Sequence, residues 1–275
     1  MATKTAPKPK PTSTSRFRKR KYGKNHAYYL RQADGSEVKL DGVTTILSNG
    51  IPKPALVYWA ANATSDYATD HWDELAELPL SKRNETLRKS RYAISDEAKA
   101  RGTEVHDLAE RIAHGEEVEV PTEIRGHVES AVKFLDEFEV EVILTETSVF
   151  HDRALYGGTF DLLLRSKLFP GRVILADWKT NRTGIYPETA LQLTAYAKAT
   201  HYLDAEKREQ LISELGITDT WAVWIRSDGY EVYDMECSDD TWAAFAHAAG
   251  VARSISDKEV AETWKSAPLR PRVAA

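Results

Sequence analysis

A single cysteine, Cys237, stands in a chain of 275 residues. That excludes an internal disulfide framework, a four-cysteine iron–sulfur cluster and a structural zinc site built on thiolates. A reducing cytoplasm suits such a composition. No run approaches eighteen apolar residues, so no membrane span is expected. The first residues are basic without an apolar stretch, so they do not read as a secretory signal. No internal repeat is visible. Residues 1–24 lack acid altogether, yet hold nine Lys or Arg, whereas the whole chain carries a formal net charge of −5.

That asymmetry puts a basic tail on an acidic body. A polyanion partner is one reading, because each phosphate contact releases counterions. A disordered, solubilising tail is the other, since MATKTAPKPKPTSTS is Pro, Lys, Thr and Ser with almost nothing apolar. Residues 1–24 are therefore read as a disordered basic tail and 25–275 as a single domain. The acidic remainder argues against a protein that coats DNA without specificity, and it suits a site that gathers divalent cations.

Patterning predicts an α/β fold with a central mixed β-sheet flanked by helices and with helical additions toward the N-terminus. A hairpin over 26–40 turns at Asp34-Gly35, and GVTTILSNGIP is expected as a short strand. A helix over 55–67 places Leu56, Trp59, Ala60 and Ala63 on one face. Ser81 and Ser95 are expected to cap two successive helices, the second ending at Gly115 with Val105, Leu108, Ala109 and Ile112 as its apolar stripe. Another helix carries Ile124, Val128, Val132, Leu135 and Phe138, followed by a strand through EVEVILTETSVF. Late in the chain a surface helix over 205–215, a hairpin turned at Asp228-Gly229 and a last helix over 239–264 are expected.

The stretch 156–196 organises the rest. TFDLLLRS and RVILADW read as a hairpin about Phe169-Pro170-Gly171, and a helix follows from Pro187. Asp/Glu-x-Lys by itself means little: Glu37-Val-Lys39 and Glu97-Ala-Lys99 match the same pattern. Only Asp177-Trp178-Lys179 ends an apolar strand whose partner carries another acid, Asp161, after Gly157-Gly158. Alternation puts Asp177 and Lys179 on one face of the strand. Two carboxylates suffice to bind Mg²⁺ beside a substrate phosphate, and the Trp178 carbonyl offers a further oxygen. Lys179 then orients water or offsets transition-state charge. An ordinary ion pair at a strand end is the competing reading. His106, at the edge of its helix stripe, reads as a metal ligand or a core-boundary residue; as a ligand it shifts preference toward Mn²⁺. Gln192 and Tyr196 lie one turn apart on the helix, placed to contact phosphate or to brace the lysine. Arg88, Lys89, Arg91 and Arg101 are candidate DNA contacts, against the plainer reading of a solvated helix face.

In order, the segments G-T-E-V-H, E-T-S-V, G-G-T-F-D, I-L-A-D-W-K-T and Q-L-T-A-Y, over about residues 101–197, resemble the RecB-like branch of the PD-(D/E)xK nuclease superfamily. Stand-alone exonucleases of phages and of CRISPR adaptation look similar, and V-T-T-I-L and P-A-L-V-Y-W-A resemble phage members too. The resemblance implies a restriction-endonuclease-like core and a metal-dependent deoxyribonuclease, an exonuclease acting in recombination, repair or phage DNA processing. It implies that His106, Asp161, Asp177 and the Trp178 carbonyl hold Mg²⁺ or Mn²⁺. Lys179 is then the catalytic lysine, and Gln192 and Tyr196 line the DNA path. Glu146 falls where relatives often carry an acid. Unlike many relatives, the chain has no cysteines for an iron–sulfur cluster and no G-x-x-x-x-G-K-[S/T] loop for ATP. An ATP-independent nuclease is implied, with any motor supplied by a recombination or helicase partner, and with the host cytoplasm as its place if phage-encoded. A structure-specific endonuclease, or a silent nucleic-acid or protein-binding module, remains the alternative on these residues.

Overall fold

The computed structural model describes residues 15–23, 25–256 and 263–264. Three short strands open it: β1 (Phe17–Tyr22), β2 (Asn25–Arg31) and β3 (Glu37–Gly42). Helices α1 (Val43–Gly50), α2 (Pro54–Asp70), α3 (Trp72–Glu77) and α4 (Leu80–Ala113) follow, then a 3₁₀ turn (Thr122–Ile124) running into α5 (Arg125–Glu137). Next come β4 (Val140–His151), β5 (Tyr156–Ser166), β6 (Ile174–Lys179) and α6 (Glu188–Ala197). The short pair β7 (His201–Leu203) and β8 (Glu209–Leu211), a 3₁₀ turn (Ile212–Leu215), the hairpin β9 (Asp219–Arg226) and β10 (Gly229–Asp234), and α7 (Asp239–Ser256) complete the order.

The described strands join in one mixed sheet with β5 as its junction. Antiparallel β4 runs along one edge of β5. The other edge is shared: β3 pairs in parallel at residues 156–157, and β6 pairs antiparallel at residues 162–164. β6 continues in parallel to β9, so Lys179 lies opposite Trp224. Helices cover both faces. Val43, Ile46 and Leu47 of α1, Leu193 of α6 and Phe245 of α7 pack with Leu163 and Leu175. On the opposite side Val105 and Leu108 of α4 and Val128 and Phe134 of α5 pack with Leu164, Ala176 and Trp178. Each such buried side chain contributes about 1.5–3 kcal/mol of transfer free energy. The sheet with helices on both faces is the architecture expected from the sequence, and it is consistent with a restriction-endonuclease-like core. No described helix is long and apolar enough to cross a membrane.

Several expectations change. The tail was expected to end at residue 24, but Phe17–Tyr22 is a strand in full register with β2. Phe17 is buried against Phe150, with ring centroids 4.7 Å apart; residues 1–14 lie outside the described ones. The expected strand within GVTTILSNGIP (42–52) is helix α1, because Val43, Ile46 and Leu47 recur at helical spacing and pack in the core with residues of α6 and α7. Ser81 and Ser95 cap nothing. With no Gly or Pro between Leu80 and Gly102, α4 runs unbroken for 34 residues from Pro79. The expected helix at 205–215 is instead the β7–β8 turn, strand β8 and a 3₁₀ turn; in the first, the Asp204 carboxylate accepts the Arg208 backbone N–H at 2.8 Å. On α2, Ala63 is buried as expected, whereas Leu56 and Trp59 remain exposed. Of the expected stretch of α7 toward Trp264, residues 257–262 lie outside the described ones.

Candidate active site

Four elements converge at the C-terminal end of β6. Strand β5 supplies Asp161, β6 supplies Asp177 and Lys179, α6 supplies Gln192 and Tyr196, and α4 supplies His106. Close approach is built into the glycines. A Cβ at Gly158 would stand 2.4 Å from Tyr196 Cε1, so only glycine lets α6 lay its tyrosine on β5. A Cβ at Gly102 would stand 2.9 Å from Thr180 Oγ1, which brings α4 down beside the residue after Lys179.

The alternation that put Asp177 and Lys179 on one face holds: the two form a close ion pair, with the Asp177 side chain only 2% exposed. Gln192 ties this half of the site together. Its Nε2 donates to Asp177 Oδ1 at 2.7 Å and to the Tyr196 hydroxyl at 3.2 Å, and its Oε1 accepts from Lys179 Nζ at 3.1 Å. Burial lowers the Lys179 ammonium's proton affinity, but the charges of Asp177 and Asp161 outweigh it and the pKa is raised. Lysine is therefore held charged at any working pH. Burial, then the Asp177 charge, pushes the Tyr196 hydroxyl far up, so it stays neutral.

The other half gathers ligands. His106, Glu146 and Asp161 each bring one donor atom to within 4.8 Å of the others. His106 Nδ1 lies 3.7 Å from Asp161 Oδ2, and the Trp178 backbone N–H donates to that same oxygen at 2.8 Å. Burial lowers the pKa of His106, with the Asp177 charge only partly offsetting it, so a neutral imidazole is favoured. Burial, then Asp177, raises the Asp161 carboxyl well above the usual carboxylate range. Glu146 still reaches solvent, yet desolvation by its surroundings, then the Asp161 charge, pushes its carboxyl up to about 7. Its backbone explains how it gets there. Thr145 and Thr147 pair with Leu162 and Phe160, while Glu146 between them takes φ 42°, a left-handed conformation in mid-strand. Such a residue costs about 1–3 kcal/mol, and here it brings a carboxylate to Asp161.

This donor set fits a divalent cation: one imidazole nitrogen and two carboxylates, crowded until both carboxyls hold protons more tightly than usual. Asp177 Oδ2 is buried and is held by the Lys179 ammonium in their ion pair, so Asp177 reaches a cation only where that pairing yields. Of the ligands expected from the sequence, His106 and Asp161 are thus together with Glu146. Asp177 is adjacent but engaged by Lys179 and Gln192, and the Trp178 indole is buried against Phe134 with centroids 5.4 Å apart.

The candidate DNA contacts fall in two places. Arg101 lines a cleft beside Thr180. Arg88 lies eighteen residues from His106 on α4, about 27 Å along the helix, where Lys89 pairs with Glu85 and Arg91 stacks on Tyr92. Sequence reasoning missed Lys19. In β1, Arg18 and Arg20 turn to Glu37, while Phe17 and Lys19 turn inward, and Lys19 Nζ donates to Thr159 Oγ1 at 2.8 Å. The period-two signal was present in FRKRKY, hidden by its uniform charge. A cleft of about 510 Å³ runs from Glu146 and Tyr196 past Lys19, His26 and Lys39.

No family model matches the chain, and no curated protein matches it. Among solved structures it is similar to the protein SSO0001, at 15% identity and a TM-score of 0.32, over 79% of this chain and 76% of that one. It is also similar to an alkaline exonuclease (LHK-Exo) from Laribacter hongkongensis, at 15% identity and a TM-score of 0.35, over 57% of this chain and 79% of that one. At this degree of likeness neither assigns the chain to a family, and the functional reading rests on the site.

Proposed function

We propose that the chain is a metal-dependent deoxyribonuclease of the RecB-like PD-(D/E)xK type, hydrolysing DNA phosphodiester bonds as an ATP-independent exonuclease. The observation that carries this reading is the junction of two half-sites: His106, Glu146 and Asp161 beside the Asp177–Lys179–Gln192–Tyr196 network. The first three residues, with Asp177, would hold Mg²⁺ or Mn²⁺. When bound, such an ion polarises a phosphoryl oxygen and acidifies water. Lys179, kept charged by Asp177 and Asp161, stabilises the negative charge that develops on phosphorus-bound oxygens. Gln192 fixes the lysine's position by accepting from it, and Tyr196 braces Gln192 by accepting from its Nε2 with a hydroxyl that does not ionise. The polar cleft past Lys19, His26 and Lys39 offers a path for the strand.

The test is cleavage of end-labelled linear and circular single-stranded DNA across a Mg²⁺ and Mn²⁺ series. Wild-type protein should degrade linear DNA and lose all activity in chelator. Asp177→Ala and Lys179→Ala should each lower kcat at least about a hundredfold with the fold intact. Undiminished cleavage by both variants refutes the assignment. Cleavage of the circle converts the reading to an endonuclease, and binding without any metal-dependent product leaves only a nucleic-acid-binding module.

A further inference from the structure

A second cleft, of about 430 Å³, opens beside Thr180, the residue after Lys179. Its walls come from four parts of the chain that the fold brings together there. Thr180, Asn181 and Arg182 continue directly from the catalytic strand. Trp224 lies opposite Lys179 on β9, and Arg101 and His127 arrive from α4 and α5. The wall between α5 and the β9–β10 turn is rigid, since a Cβ at Gly126 would stand 2.3 Å from the Ser227 carbonyl oxygen.

The charges in this cleft are not balanced from within. Arg226 is engaged by Asp228 at 3.2 Å and by Glu231 at 2.6 Å. Arg101 and Arg182 make no ion pair with a carboxylate among the described residues, and of the lining acids only Glu123 is left to face them. His127 adds a third nitrogen donor. Its ring makes no hydrogen bond among the described residues; Nδ1 is enclosed, so Nε2 is the nitrogen that a group in the cleft can reach. The Trp224 indole cannot serve, because its Nε1–H already donates to the Asn181 carbonyl at 2.8 Å. Two arginines and one imidazole without a hydrogen bond around a cleft of this size fit a tetrahedral oxyanion: planar forks match phosphate oxygens, and the accessible imidazole nitrogen gives a directed bond.

We infer that Arg101, Arg182 and His127 form a phosphate-binding subsite that holds a non-scissile phosphate group of the nucleic-acid strand next to the catalytic lysine. The inference rests on the nuclease reading for its substrate, though phosphate recognition itself does not require catalysis. The group is either the strand's terminal phosphate monoester or the adjoining internal phosphodiester, which share this chemistry. Salt dependence should then contain about two counterion-release contacts from the arginines.

The first measurement uses wild-type protein with ¹⁵N-labelled histidine. Titration with inorganic phosphate should move the His127 ring resonances, and Arg101→Ala/Arg182→Ala should abolish that movement. The second is DNA binding in EDTA, where no cleavage intervenes. Each single arginine variant should weaken binding about tenfold and reduce the slope of log affinity against log salt by about 0.7–0.9. If the variants' loss matches removal of the 5′- or 3′-phosphate, the terminal group occupies the subsite. If it matches one neutral methylphosphonate linkage, the internal group does. His127 resonances unmoved by phosphate, or a folded double variant that binds DNA with wild-type affinity and salt slope, overturns the inference. Absence of cleavage by the wild-type chain refutes the nuclease reading alone, since the phosphate response is read without it.

Discussion

Gly158 is where fold and chemistry can be separated by one methyl group. A Cβ there would meet Tyr196 Cε1 at 2.4 Å, Tyr196 Cδ1 at 3.0 Å and Val43 Cγ2 at 3.2 Å. Ordinary carbon contacts lie near 3.5–4.0 Å, so in Gly158→Ala the ring must recede by roughly 1 Å. Tyr196 is fully buried, with α6 behind it, and overpacking of this kind costs about 1–3 kcal/mol. For a domain of this size that lowers Tm by about 2–10 °C. The Gln192–Tyr196 hydrogen bond is already 3.2 Å long, and a shift of that size breaks it and loosens Gln192 from Asp177 and Lys179. Misplacement by about 1 Å is worth roughly a hundredfold in rate. Differential scanning calorimetry and single-turnover cleavage of labelled DNA, run on the same preparation, read both effects. Gly250→Ala is the control, because nothing lies within 4 Å of its added methyl. In helix α7 that change should hold or raise stability by about 0.5–1 kcal/mol. A Gly158→Ala protein with wild-type Tm and wild-type rate would refute the close-packing account of Tyr196.

Glu146 carries two further predictions. Its carboxyl, raised to about 7, binds its proton more tightly in the folded chain than in the unfolded one. The stability it contributes is therefore complete below the ordinary carboxylate range and is lost as pH rises through about 7. Metal-free protein should accordingly lose Tm between pH 5 and pH 8, and Glu146→Gln should flatten that fall. A cation competes with the same proton, so Mn²⁺ affinity by calorimetry should drop about tenfold per pH unit below 7. A pH-independent affinity would show that Glu146 is not a ligand. Glu146→Gly should relieve the φ of 42° and leave the metal-free chain as stable or more stable by up to about 1 kcal/mol, while metal affinity collapses. A large loss of stability instead would make Glu146 a structural residue.

What could be read from the chain follows from the range of each physical signal. The β5–β6 hairpin, the alternation placing Asp177 beside Lys179, and the Gln192–Tyr196 turn of α6 are all local, with period two or one helical turn, and the sequence displays them directly. Helix α1 was misread because β-branched VTTIL is strand-like by propensity, and only packing against α6 and α7, distant in sequence, makes it helical. Glu146 was legible as an acid in a strand. Its arrival at Asp161 was not, because that depends on a left-handed residue that no pattern announces. Lys19 was lost among nine tail cations; its inward direction is set by Phe17 docking on Phe150, a contact between residues 133 apart in sequence. Signals that depend on long-range packing are the ones a single chain hides.

The same distinction explains why the site is divided in two. Asp177, Lys179, Gln192 and Tyr196 belong to one strand end and the helix after it, and their network is closed: each side chain has a hydrogen-bond or ion-pair partner within it. His106, Glu146 and Asp161 come from three separate elements, and their network is open, with two carboxyls driven upward and a strained backbone beneath one of them. A closed network rigidifies and positions. An open, crowded one stores unfavourable energy that a cation would release. Burial on β5 next to Asp177 forces Asp161 to serve both, accepting from the Trp178 amide on one side while facing the imidazole on the other. Loss of Asp161 should therefore damage both halves at once, whereas loss of Glu146 should remove only metal affinity and leave the lysine where Gln192 holds it.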